Sequence, residues 1–129
     1  VVDDTGLAAA RLEELHKAGF STALDDFGTG YSSIGSLRQM SFDTLKIDRS
    51  FVAGLGTSSK QMTLCNAMVL LGQALDLKIV CEGVETAKEL HSLGVLGCDL
   101  AQGYHFDRPL TIERLVDRWL APRAGQVAA

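Results

Sequence analysis

Short apolar runs alternate along this chain with longer stretches of helical period. Four runs, Ser21–Asp25, Thr44–Asp48, Lys78–Glu82 and Cys98–Gln102, read as buried strands, and a helical pattern follows each. Ahead of the first, Ala8, Leu12 and Leu15 share one helical face while Arg11, Glu14 and Lys17 lie elsewhere, and Gly19 is placed to end that helix with a left-handed cap. Ser58 or Ser59 can cap a long helix over about Lys60–Asp76. Its apolar residues run round much of the circumference, so burial on more than one side is expected, part of it against a protein partner. Thr86-Ala-Lys-Glu89 has the form of a capping box, Gly94 is positioned to end that helix, and Thr111 to start another whose Ile112, Leu115, Val116 and Trp119 form a stripe. Residues 121–129 carry no pattern and are expected to fray.

Strand then helix, repeated with buried strands, implies an α/β fold with a parallel sheet and right-handed crossovers. A complete (β/α)₈ barrel takes about 250 residues, so four units need about 125. The chain has 129. A half-barrel of four βα units and a small open sheet are the two architectures that fit, with residues 1–120 as the folded part.

Composition narrows the chemistry. The chain is 47% apolar and 22% charged, ordinary for one globular domain. A net charge of −4 argues against a broad footprint on polymeric DNA or RNA, while small anions remain accessible if a metal supplies positive charge. Cys65, Cys81 and Cys98 show no C-x-x-C spacing and read as buried thiols of a reducing cytoplasm. The most apolar segment, Ala67–Leu77, is broken by Gln73 and Asp76 and falls well short of the roughly 20 residues that span a bilayer. No leader-type segment opens the chain. The expected location is cytoplasmic, with any membrane anchor of a longer parent lying upstream.

Polar residues gather at or just beyond the strand ends: Asp25 and Asp26, Lys46 and Asp48, Glu82 and Glu85, then Gln102. In a parallel barrel these ends form one rim, where active sites lie. Any one of them, alone, is most simply a solvated loop residue, a turn former or a helix cap. Four strands ending the same way favour a site. Three carboxylates, a lysine and an amide on one rim suit hard cations such as Mg²⁺ or Mn²⁺ with a phosphate above them, whereas the His and Cys donors of a zinc site are lacking. Lys46, between Leu45 and Ile47, must find a partner or snorkel out, and a carboxylate cluster answers that need. His16, His91 and His105 occupy positions expected to be exposed and without matching partners.

Two shorter matches are set aside. Asp26-Phe27-Gly28 spells the kinase D-F-G without a catalytic H-R-D loop or V-A-I-K strand ahead of it. Gly28-x-Gly30-x-x-Ser33 approximates a dinucleotide fingerprint lacking its third glycine, yet Asp25 and Asp26 would repel the pyrophosphate. Cations between those carboxylates and a phosphodiester turn repulsion into attraction.

The stretches "DDFGTGYSS", "LKIDRSFV", "EGVET" and "QGYHFDRP" resemble, in order and spacing, the EAL-domain cyclic di-GMP phosphodiesterases. The match runs from the helix before Asp25 to Trp119 and corresponds to the C-terminal half of that family's domain. The resemblance implies a modified (β/α)₈ barrel that hydrolyses cyclic di-GMP to the linear dinucleotide, two Mg²⁺ or Mn²⁺ ions activating water. It implies that Asp25 bridges the metals, that Asp26 and Glu82 hold the second, that Lys46 contacts the attacking water, and that Gln102 hydrogen-bonds in the metal and water shell. By the same resemblance Glu85 and Asp48 are expected to support the rim loops. The loop from Asp26 to Ser33, with Gly28, Thr29 and Gly30, is the family's mobile element near its dimer interface. The chain contains no Glu-Ala-Leu motif, and the strands that supply that Glu, an Asn and another Glu to the first metal are missing. The expectation is one half of a phosphodiesterase domain, inactive alone and partnered by the upstream half, by sensory domains and by a second copy; the other readings are a cyclic di-GMP receptor and an interaction module.

Overall fold

The computed structural model describes residues 4–30 and 34–121. In chain order the elements are α1 (Asp4–Lys17), β1 (Ala23–Phe27), α2 (Ile34–Gln39), β2 (Thr44–Ile47), α3 (Arg49–Val52), α4 (Ser59–Ala74), β3 (Lys78–Cys81), α5 (Ala87–Leu96), β4 (Leu100–Ala101) and α6 (Ile112–Leu115), the last widening into π-helical turns over Val116–Leu120. The strands form one parallel sheet in the order β1-β2-β3-β4. That is the expected half-barrel alternation.

Register decides which side chains reach the core. Leu45 pairs with Leu24 and Ile79, and Ile47 with Phe27 and Cys81. Phe27, Leu45, Ile47, Ile79 and Cys81 are buried. Ile47, Ile79 and Cys81 share a core with Val52 of α3, Cys65 and Val69 of α4, Leu93 of α5, and the loop residues Leu55 and Val84. The alternate positions, Ala23, Thr44, Lys46, Lys78, Val80 and Leu100, fall on the other face. This face, the lumen of a complete barrel, is more polar than an apolar barrel interior.

Local chemistry explains the ends. Ser58 caps α4, its side chain accepting from the Gln61 N–H, and Thr86 with Glu89 closes the capping box of α5. Four features differ from the sequence reading. The stop of α5 is Gly97, held at φ +80°, while Gly94 stays within the helix; a left-handed cap is what demands glycine. The α4 helix buries a single stripe of Cys65, Val69 and Gly72 and leaves Leu64 and Leu70 exposed. Cys98 is half-buried and precedes the two-residue β4 rather than opening a longer strand. His16, finally, has partners: its Nε2 lies 2.9 Å from Thr22 Oγ1 and 3.1 Å from Asp43 Oδ2, joining the end of α1 to the start of β2. The stripe of Ile112, Leu115, Val116 and Trp119 forms as expected but is exposed. No helix among the described residues is long and apolar enough to cross a membrane. Residues 31–33 and 122–129, which include Ser33 and nearly all of the expected tail, lie outside the described residues.

Candidate metal centre

Two adjacent residues of a regular strand point to opposite faces, so Asp25 and Asp26 should diverge. They do not, because β1 carries a bulge: Leu24 pairs with Leu45 and Phe27 with Ile47, leaving two residues opposite the single Lys46. Asp26 takes up the extra residue at φ 51°, the left-handed region that aspartate tolerates better than most residues. With Leu24 and Phe27 on the core side, both intervening carboxylates are free to face the lumen.

The result is a compact cluster. Single carboxylate oxygens of Asp25, Asp26 and Glu82 all lie within 4.8 Å of one another. Lys46 reaches between two of them, its Nζ 3.0 Å from Asp25 Oδ1 and 2.6 Å from Glu82 Oε1. The hydrogen bond from Lys46 holds the Asp25 carboxyl below the usual range, and the bonds to Glu82 and Asp25 push the lysine up despite its partial burial. Three carboxylates beside one ammonium, which bonds Asp25 and Glu82, keep a surplus of negative charge. An all-oxygen donor set of that charge fits a hard divalent cation.

The other anticipated residues take different places. Asp48 caps α3, its Oδ1 accepting from the Ser50 N–H at 2.9 Å, and hydrogen bonding from the Ser50 side chain first and this N–H second draws its carboxyl below the usual range. Asp48, Glu82, Glu85 and Gln102 line a rim cavity of about 260 Å³ together with Arg49 and Tyr104. Gln102 therefore shares a cavity with Glu82, on the side away from Asp25. Thr29 ties the turn after β1 by donating from Oγ1 to the Asp26 carbonyl at 2.9 Å. Gly28 and Gly30 both have positive φ, and a Cβ on Gly28 would run into Phe51 and Met68. Glu89 is the residue that motif reading reduced to a helix cap. Buried at 7% exposure, it accepts from the N–H groups of Gly54, Glu85 and Thr86, each at 3.0 Å, and so binds the loop after Glu82 to the segment following α3.

A parallel α/β half-barrel with carboxylates at the C-terminal ends of its strands is the class that fold and site define. The family described as the EAL domain matches residues 1–109, and the chain belongs to it. It is similar to the EAL domain of Mycobacterium smegmatis DcpA, with a TM-score of 0.84 and 40% identity over 88% of this chain and 51% of that one. It is also similar to the Pseudomonas aeruginosa MucR phosphodiesterase, solved as a c-di-GMP complex, with a TM-score of 0.79 and 41% identity over 88% of this chain and 46% of that one. Among curated relatives from Pseudomonas aeruginosa, the cyclic di-GMP phosphodiesterase NbdA is 46% identical over 104 residues, or 81% of this chain and 13% of that protein. The cyclic di-GMP phosphodiesterase RocR is 38% identical over 122 residues, or 90% of this chain and 31% of that protein. The chain thus spans about half of these solved EAL chains and less than a third of these curated relatives.

Proposed function

We propose that residues 1–120 form the C-terminal half of a cyclic di-GMP phosphodiesterase domain and carry its second-metal ligands. The convergence of Asp25, Asp26 and Glu82 within 4.8 Å, in a chain of the EAL family, is the observation that carries this reading. Mg²⁺ or Mn²⁺ is the cation that suits three carboxylates. Asp26 and Glu82 would hold it and Asp25 would be shared with a neighbouring ion. Such a cation supplies Lewis-acid stabilisation of phosphodiester charge and a more acidic water.

The chain's own residues set the stage for that chemistry. Lys46 places a positive charge against Asp25 and Glu82 and can turn toward a developing negative charge above them. Arg49, on the rim cavity with Gln102, offers a cation for a second phosphate oxygen. Gln102 presents an amide to water or substrate. Asp48 and Glu85 shape the rim loops, and Gly28, Thr29 and Gly30 shape the turn that carries Asp26. Alone, the chain should hydrolyse no cyclic di-GMP, since the ligands of a first metal must come from the other half of the barrel.

The test joins this chain to the N-terminal half of the NbdA EAL domain and follows cyclic di-GMP by chromatography in Mn²⁺. Linear dinucleotide should form, and Asp25→Asn should lower its rate by orders of magnitude with the fold retained. Binding of cyclic di-GMP without linear product would replace the enzyme with a receptor. Failure to bind either metal or nucleotide would leave an interaction module.

A further inference from the structure

The three cysteines converge on one region of the core. Cys65 of α4 and Cys81 of β3 are fully buried there. Cys81 pairs in register with Ala101, and Cys98 sits in the short link between the Gly97 cap and β4. From that link the Cys98 Sγ reaches to 3.0 Å from the Cys81 Sγ and 3.0 Å from the Leu100 carbonyl oxygen. All three thiols are free. A disulfide bond is about 2.05 Å long, so closing one needs the sulfurs to approach by roughly 1 Å. Cys98 is outside the sheet ladder and can supply that movement.

Shared thiolate ligation of a soft metal is less well served. Asp25, Asp26 and Glu82 are the one group of three potential ligands among the described residues whose donor atoms lie within 4.8 Å, and the cysteines do not form another. Access favours chemistry at Cys98 instead. A cavity of about 220 Å³ lined by Leu90, Leu93, Gly94, Cys98, Leu100 and Phe106 lies between α5 and β4 and has the half-buried Cys98 in its wall, large enough for a small molecule.

We propose that Cys98 and Cys81 form a dithiol oxidation site for small hydroperoxides, closing to an intramolecular disulfide that spares Cys65. The Cys98 thiol gives up its proton, and the thiolate sulfur attacks one peroxide oxygen; the O–O bond breaks, leaving a sulfenic acid on Cys98 and, for hydrogen peroxide, a hydroxide that takes up that proton as one water. The Cys81 sulfur then attacks the Cys98 sulfur, the S–O bond breaks, and the departing hydroxide takes the Cys81 proton as a second water. Two thiols lose two electrons and the peroxide gains them. The bridge fastens the end of β3, directly before Glu82, to the link ahead of β4.

Tryptic cleavage puts each cysteine on its own peptide: Cys65 on Gln61–Lys78, Cys81 on Ile79–Lys88 and Cys98 on Glu89–Arg114. The reduced, metal-free chain is treated with equimolar hydrogen peroxide, quenched with catalase, unfolded and alkylated, then digested for mass spectrometry. Two of the three thiols should be lost to the alkylating reagent. The Cys81 and Cys98 peptides should appear joined and lighter by two hydrogen atoms, and dithiothreitol should separate them. Cys65→Ser should leave the cross-link in place, and Cys98→Ser, a mild change at a half-buried position, should abolish it. A sulfinic acid on Cys98 with Cys81 still alkylated, a Cys65–Cys81 bridge, a cross-link only between chains, or cross-linking no faster than in urea would each overturn the assignment.

Discussion

At the scale of single residues, the site depends on a conformation that the side chain makes costly. Asp26 holds φ 51° so that it and Asp25 can face the same way, and glycine adopts that region without the steric penalty. Asp26→Gly should therefore stabilise the metal-free chain by about 1 kcal/mol while removing one carboxylate from the cluster. Urea unfolding and Mn²⁺ titration of the same variant check both halves; equal or lower stability would mean that the aspartate's own hydrogen bonds outweigh the strain. Lys46 separates charge balance from ligation. Lys46→Met leaves three carboxylates facing one another, so Mn²⁺ affinity should hold or rise, and in the completed domain turnover should fall. A loss of Mn²⁺ affinity, read by titration calorimetry, would make the lysine a support for the carboxylates instead. These residue types were legible in the sequence because each stands out against an apolar run. Arg49 and Tyr104 were not, since only convergence in space brings them to the rim cavity beside Glu82 and Gln102.

Among the elements, the buried Glu89 couples a helix start to the site. Burial alone would raise its carboxyl, yet the N–H groups of Glu85, Gly54 and Thr86 hold it below the usual glutamate range. A depressed folded pKa gives stability that is fully present above the unfolded value of about 4.3 and is lost as pH falls through the folded one. Glu89→Gln keeps an acceptor but sets its amide against backbone donors, so it should cost about 2 kcal/mol at pH 7. The gap between the two proteins should narrow as pH falls below about 4.3, where the unfolded glutamate takes up its proton, and close once the native carboxylate is itself protonated. Chemical unfolding at pH 7 and at pH 3.5 reads the difference, and a gap independent of pH would assign the loss to packing. The helix starts at Ser58, Thr86 and Thr111 were all readable, because a cap is a local pattern of one side chain and a nearby N–H. Ends were harder. Gly94 and Gly97 are equal candidates by composition, and only the φ of +80° at Gly97 distinguishes them. The β1 strand extends through Phe27 rather than ending at Asp25, because two carboxylates read as a strand end where a bulge actually carries them inside the strand. The link from His16 to Asp43, 27 residues apart, has no local signature at all.

For the molecule as a whole, surface exposure argues for association. A four-stranded sheet with β1 and β4 outermost has two edges, each with a strand neighbour on one side only, and natural sheets cover such edges. Leu7, Phe20, Leu70, Leu100, Ile112, Trp119 and Leu120 are all at least 48% exposed, with Ile112, Trp119 and Leu120 concentrated after β4. Burying apolar area yields roughly 25 cal/mol per Å², so a contact that covers these side chains has a real driving force. The lumen face works against collapse: Lys46 is committed to Asp25 and Glu82, and Thr44 and Lys78 add polar groups that need partners. Pairing should therefore run through the edges and the segment after β4 more than face to face. Two copies would provide eight strands, enough for a closed or partly closed barrel. The chain is expected to be a dimer or larger at micromolar concentration, and Trp119→Ser with Leu120→Ser should weaken that assembly about tenfold or more, as a loss of roughly 1.4 kcal/mol or more would do. Light scattering across a dilution series measures both. A well-folded monomer throughout the series, or a dimer indifferent to the double substitution, would show that the exposed segment after β4 does not hold copies together.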